Sequence, residues 1–307
     1  MKTKKKISKY TIISCCTVLF VLAAWYVCIN VLHLKQDVYK RQTHLLLILG
    51  SIVMLFPFLW MILSSFKTVG EQMSIPMKIL PGSFGYLENY KQALEAVPFL
   101  RLYLNTILMI LGRVICAVIF SSMAGYGFAR MEFPFKRLLF TLVLMQMMVP
   151  GQIFIVPQYM MLSKIKLLNT VFALIFPALV SAFGTFLLRQ QYMALPKELE
   201  EAAVIDGCNP WQVFTKIMVP VTRSSLASLA IFTALFAWKD LMWPLIANND
   251  LNRMPLAPGL TVLQGICNNN KGALMAGSVI ATVPMLLLYI ACQKQFIEGI
   301  AQTGIKG

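Results

Sequence analysis

"KELEEAAVIDGCNPWQVF", Lys197–Phe214, stands between two apolar runs and reads as two short helices joined at one glycine. Pro196 suits the first turn of a helix, where its missing N–H costs nothing. Glu198, Glu200 and Glu201 follow in that turn, where carboxylates complement the positive end of the helix dipole. Ala202 and Ala203 are strong helix formers, and Gly207 is the expected left-handed residue that ends the helix. Asn209 then caps a second helix with Pro210 at its first position. Trp211, Val213, Phe214, Ile217 and Met218 give that helix an apolar side, and Pro220 closes it. The segment at about 195–220 is therefore expected to be a helical hairpin lying along a membrane surface. Ala202 and Ala203 leave one face flat enough for another protein to approach.

The surroundings are lipid-like. Of 307 residues 58% are hydrophobic and 13% charged, with a mean hydropathy of +0.72; soluble domains carry about 25% charged residues. The net charge of +15 is read as Lys and Arg at helix ends, meeting anionic lipid, rather than as nucleic-acid binding. Seven cysteines are scattered without a CxxC pair, and His33 and His44 are the only histidines. Neither a disulfide framework nor a metal site is expected. No GxxxxGK[ST] phosphate loop occurs, so the chain is not expected to bind ATP. No Ser/His/Asp set or carboxylate pair suggests catalysis.

Seven apolar stretches are candidate spans: Tyr10–Leu34, His44–Phe66, Tyr103–Phe128, Leu138–Met161, Val171–Leu188, Ser225–Ile246 and Ala276–Cys292. Lys67–Leu102 and Ala247–Gly272 read as outer loops. Pro57 interrupts the second span, and Pro150, Gly151 and Pro157 the fourth. Such breaks are tolerated where protein or a water-lined cavity satisfies the freed backbone groups. Gln146 and Gln152 flank the break, so the fourth span is either a translocation lining or a kinked packing helix. Arg113 lies mid-span, where a guanidinium must face a bundle interior or cavity. Asp240 is its best carboxylate partner. Lys239, Asp240 and Arg113 are read either as a polar lining for a solute or as a structural ion pair, with Lys239 reaching toward the outer interface.

Seven crossings would place two basic segments, "MKTKKKISK" and Lys35–Gln42, on opposite sides, against the positive-inside tendency. At their junction "DVYKRQ", Asp37–Gln42, is one translation of GAT GTG TAT AAG AGA CAG, which resembles the end of a transposon-based sequencing adapter. The segment Met1–Gln42 is read as a foreign extension, the alternative being a native extra helix. Its "WYVCINVLHL" is similar to the start of importer permeases for sulfonate- or nitrate-like anions.

In the hairpin, Glu201-Ala202-Ala203, three residues, Gly207, nine residues, then Ile217 and Pro220 resemble the EAA signature of ABC importer permeases, with Val219 in place of the usual Leu. "MLFPFLWMILSSFK", "MAGYGFARMEFP", "MMVPGQIFIVPQY", "MWPL" and "FIEGIAQTGIKG" are similar, in the same order, to the second permease of maltose-type carbohydrate importers. The Lys239-Asp240 pair departs from that subfamily, which often has Asn at the first place. The resemblance covers nearly all of Thr43–Gly307. It implies an all-α, six-helix type I importer fold in the bacterial cytoplasmic membrane. It implies that Glu201, Ala202, Ala203, Asp206 and Gly207 dock on an ATP-binding subunit. It also implies a second homologous permease, two ATP-binding subunits that hold ATP and Mg, and an extracytoplasmic solute-binding protein. The expected cargo is a sugar or oligosaccharide. The alternatives are another solute (a glycerophosphodiester, amino acid or anion) or a secondary transporter or channel, which would need more intramembrane acids than Asp240.

Overall fold

The computed structural model describes residues 36–304. The expected helix Tyr10–Leu34 lies outside them. Among the described residues the chain is helix and turn, with no strand. It divides into two units, at Trp60 and Met61.

The first unit holds most of helix α1, Gln36–Ser65. Its stretch Gln42–Ser65, 24 residues, is long and apolar enough to cross a membrane; at a rise of 1.5 Å it is about 36 Å long, against a hydrocarbon core of about 30 Å. Leu45, Val53, Met54 and Phe56 are among many exposed apolar side chains on it, as expected of a helix turned toward lipid or a partner. Pro57 sits inside α1 without ending it.

The second unit is built around α3, Phe99–Arg130, a helix of 32 residues. Its buried positions Leu102, Thr106, Met109, Arg113, Ala117, Ser121 and Gly125 recur at steps of three and four, which puts them on one stripe. Against that stripe pack α7, Ala182–Ala194, and α10, Arg223–Lys239. At Gly125 an added Cβ would lie 2.9 Å from the Arg189 backbone nitrogen. The α3–α7 crossing is thus close because a small residue allows it, as is usual between membrane helices.

The other spans are broken. Helix α4, Lys136–Met148, and the segment Gly151–Lys164, which contains α5, Ile155–Lys164, meet at 101°. Proline in the Pro150–Gly151 turn gives the physical reason. The expected single span Val171–Leu188 is α6, Val171–Ile175, with a short 3₁₀ turn, bent 47° before α7. The expected span Ser225–Ile246 is also two pieces, because α10 stops at Lys239 and α11 covers Met242–Ala247. The expected outer loops contain helices as well: α2, Glu88–Ala96, and α12, Leu256–Ile266. Ala93, Val97, Leu102, Leu256, Leu263 and Ala273 form a core there. The last helix, α13, runs Lys271–Gly304. Among the described residues, two helices alone, and up to five with each bent pair counted as one, are long and apolar enough to span; Lys271–Leu287 of α13 is a further apolar helix.

Candidate functional site

Between α7 and α10 the chain forms the hairpin: α8, Glu198–Ile205, and α9, Pro210–Val213. Helix α8 begins at Glu198 with Lys197 as its cap, so Pro196 lies just before the helix rather than in its first turn. Gly207 has φ +82°. Its N–H donates to Val204 O at 3.0 Å and the Cys208 N–H donates to Ala203 O at 2.9 Å, the paired closure of a left-handed helix end. Asn209 and Gln212 form a reciprocal cap: Gln212 N–H donates to Asn209 Oδ1 at 2.8 Å and Asn209 N–H to Gln212 Oε1 at 2.9 Å. Beyond α9 a π-helical turn covers Phe214–Met218 and a last turn Val219–Val221, so Pro220 does not close the helix. The chain then swings 75° into α10.

The hairpin is fastened to the spans along one side. Ala203, Val213, Phe214 and Met218 are buried with Leu188, Tyr192 and Leu229. The Tyr126 ring packs 5.1 Å from Phe214 and 5.7 Å from Tyr192, and the Ser122 and Tyr192 hydroxyls share a hydrogen bond of 2.7 Å. Arg130, the last residue of α3, donates from Nη2 to Leu195 O at 2.6 Å. Its Nε lies 3.0 Å from Glu200 Oε1, a contact of charges that lacks hydrogen-bond alignment. Burial pushes the Glu200 carboxyl above the usual carboxylate range, and the opposing pull of Arg130 and Lys197 does not overcome it.

The opposite side is open. Glu201, Ala202, Asp206 and Gly207 are exposed, and so are Val204, Ile205 at 85% and Trp211. Ala202 and Ala203 therefore do different things. Ala202 faces outward, whereas Ala203 is packed inward at 3% exposure, because adjacent helical residues point about 100° apart. The flat face expected of both belongs to Ala202 alone. Arg130, Tyr126 and Tyr192 hold the hairpin together with Phe214; the apolar side at Phe214 was read from the sequence, and its partners on the spans were not. The available signals were a cation ending one long apolar run and, far along the chain, a cluster of acids after another.

The polar membrane residues separate into two groups. Arg113 donates from Nη1 to Asp240 Oδ2 at 2.8 Å and from Nε to Leu174 O at 2.7 Å. The two side chains are 7% and 24% exposed, and the Arg113 Nη2 group is buried without a partner among the described residues. Asp240 opens on a cavity of about 570 Å³ that Gln146, Gln152, Gln158, Trp243 and Phe236 also line. Arg113 lines a second cavity, about 540 Å³, that shares Pro177 and Phe236 with the first. Thus Gln146, Gln152 and Asp240 come together, and Arg113 adjoins them. Lys239 does not join them: it is exposed, with Nζ 5.9 Å from the Phe236 ring centroid. Gln158 is a lining amide that the sequence reading missed.

Apolar, partly broken helices with a polar hairpin between two of them describe a multi-pass membrane protein. The chain belongs to the family of binding-protein-dependent transport system inner membrane components, whose model matches residues 117–300. It is 36% identical over 262 residues to the arabinooligosaccharides transport system permease protein AraQ of Halalkalibacterium halodurans, covering 84% of this chain and 93% of that protein. It is 33% identical to the diacetylchitobiose uptake system permease protein NgcG of Streptomyces coelicolor, covering 85% and 87%. The sn-glycerol-3-phosphate transport system permease protein UgpE of Salmonella typhi is 29% identical, with 85% and 95% covered. The crystal structure of a bacterial ABC transporter that imports the acidic polysaccharide alginate contains a chain of the same fold, with TM-score 0.70, 20% identity, and 86% of this chain and 99% of that one covered. The chain is a multi-pass permease subunit of a bacterial ABC importer, located in the inner membrane, with the type I importer fold.

Proposed function

We propose that the chain works as one of two homologous permeases that carry a neutral sugar or oligosaccharide across the inner membrane, driven by two ATP-binding subunits. An extracytoplasmic binding protein delivers the solute. The partner subunits hold ATP and Mg and hydrolyse the nucleotide. The observation that carries this reading is the hairpin: one side is packed onto α3, α7 and α10 through Ala203, Phe214 and Tyr126, and the other is exposed at Glu201, Ala202, Asp206 and Gly207. A lever needs both properties. Closure of the ATPase pair moves the exposed side, and the packed side passes that displacement to the spans as a rigid body.

The solute class follows from the Asp240 cavity. Three amides, one carboxylate and the rings of Trp243, Phe236 and Phe154 line it. Amides pair with hydroxyls in both directions, and aromatic faces offer sugar C–H groups an apolar surface. A phosphate or carboxylate solute needs an uncommitted cation, and none lines this cavity among the described residues. That favours a sugar over a glycerol phosphate.

The test is ATP hydrolysis by the reconstituted complex with and without solute-loaded binding protein. Gly207→Val forces a β-branched residue into positive φ, which misdirects α9. Glu201→Lys reverses charge at the expected contact. Both variants should insert normally and lose solute-stimulated hydrolysis, while exposed Lys91→Ala in α2 keeps it. Normal stimulation in both hairpin variants would remove the hairpin from its coupling role.

A further inference from the structure

The turn from α3 into α4 borders a cleft of about 670 Å³, lined by Glu132, Phe135, Lys136, Arg137, Phe140 and Arg189 among others. It lies on the hairpin's side of the membrane, because Arg130 at the end of α3 touches Glu200. Three cations and one carboxylate line it, and that carboxylate is engaged: Lys136 Nζ donates to Glu132 Oε1 at 3.0 Å. Arg137 is exposed and forms no ion pair among the described residues. Arg189 is held in a fixed plane. Its guanidinium carbon lies 4.0 Å over the Phe140 ring, and its Nε donates to Phe128 O at 3.2 Å. Helix α4, 13 residues long, starts at the cleft behind Phe135, with no side chain capping it. Its first N–H groups and positive dipole end therefore add to the same field.

The cleft is also apolar at one edge. Phe135, Leu138 and Leu142 are 74%, 57% and 51% exposed, and Leu138 and Leu142 continue along α4 away from the cleft. This is the level at which a span leaves the headgroups and enters hydrocarbon. We propose that the cleft binds an anionic phospholipid. Its phosphate sits against Arg137, Arg189 and the start of α4, and its acyl chains follow Leu138 and Leu142. Basic pockets between spans on the cytoplasmic side take such headgroups. A free phosphate would use the charges and leave the apolar track empty, so a lipid fits the whole feature.

Native mass spectrometry of the purified full chain, with phosphatidylglycerol or phosphatidylcholine of matched acyl chains added, tests this. Phosphatidylglycerol should be retained in preference. The surface variant Arg137→Gln should weaken that preference about fivefold, and Arg137→Gln with Arg189→Gln roughly twentyfold or more, at about fivefold per cation. Arg253→Gln, in the outer segment, should change nothing. Equal retention of the two lipids, or an unchanged preference in Arg137→Gln, would overturn the proposal. Full displacement of the lipid by millimolar inorganic phosphate would overturn it too, by making the cleft a soluble-anion site. Because the Arg137 side chain is exposed, its replacement leaves the fold intact, and the single variant decides the question even if the Arg189 change unfolds the chain.

Discussion

Arg113 lies well inside an apolar helix of 32 residues, Phe99–Arg130, so its charge must be met from within the protein. Asp240 and the Leu174 carbonyl meet it. Removing one partner leaves the other charge uncompensated, which costs about 3–5 kcal/mol when a pair is buried. Asp240→Asn should therefore lower the melting temperature of the purified complex. Arg113→Met combined with Asp240→Leu should recover much of that loss, since well-packed apolar replacements of buried pairs are often neutral. Strictly additive losses in this double-mutant cycle would mean that the two residues do not act as a pair. The pairing was legible in the sequence because Arg113 is an isolated cation inside an apolar span and Asp240 is a carboxylate within another. For Lys239 the sequence left two places open, the lining or a surface position; the structure puts it on the surface, outside the cavity. Asp240, at the end of α10, has left helical geometry, with φ −69° and ψ 115°, and a helical periodicity cannot say where a helix will stop.

At the scale of elements, the hairpin shows what periodicity and caps reveal and what they miss. Its two helices, the left-handed Gly207 and the Asn209 cap were readable because each depends on local backbone chemistry. The fastening was not, since Arg130 and Glu200 are far apart in sequence and meet only through the α3–α7 crossing. That contact makes an asymmetric prediction. Burial raises the Glu200 pKa in the folded chain, so the folded state binds the proton more tightly than the unfolded one. The resulting stability is fully present below the ordinary carboxylate pKa and is lost as pH rises through the raised value. Acidification through the raised value should therefore tighten the hairpin. Amide exchange across α8 should slow as the pH falls, once corrected for the intrinsic rate. Glu200→Gln, which mimics the protonated carboxyl, should abolish that dependence and make the hairpin firmer at neutral pH than the parent, as firm as the acidified parent. Arg130→Gln should loosen it at every pH, because it removes the donor to Leu195 O and the guanidinium in contact with Glu200. Exchange that is independent of pH in the parent chain would refute this account.

For the whole molecule, the class was written in composition and hydropathy; of the bends, the one at Pro150–Gly151 was legible from its helix breakers, while those within Val171–Leu188 and Ser225–Ile246 were not. A hydropathy window counts apolar residues and is blind to the 101° turn between α4 and α5 or to the stop at Lys239. The remaining question at this scale is how much chain the permease needs. The stretch Thr43–Gly307 holds 265 residues (307 less 42), and the alignment to the Halalkalibacterium relative covers 262 residues and 93% of that protein. Residues 1–35 lie outside the described structure, and α1 runs unbroken from Gln36 past Thr43. Cutting at Thr43 leaves 23 residues of α1, to Ser65; at 1.5 Å each they extend about 34 Å, still enough for a core of about 30 Å. A chain begun at Thr43 behind a new Met should therefore insert, assemble and support solute uptake as the full chain does. One complication is charge: the cut removes Lys40 and Arg41, and Lys and Arg flanking a span bias its orientation. A second version, with Met-Lys-Lys before Thr43, separates loss of that charge from loss of a needed segment. Uptake restored by the two lysines would assign any defect to topology alone. Uptake that stays absent in both versions, with the protein present in the membrane, would show that residues 1–42 are part of the working permease.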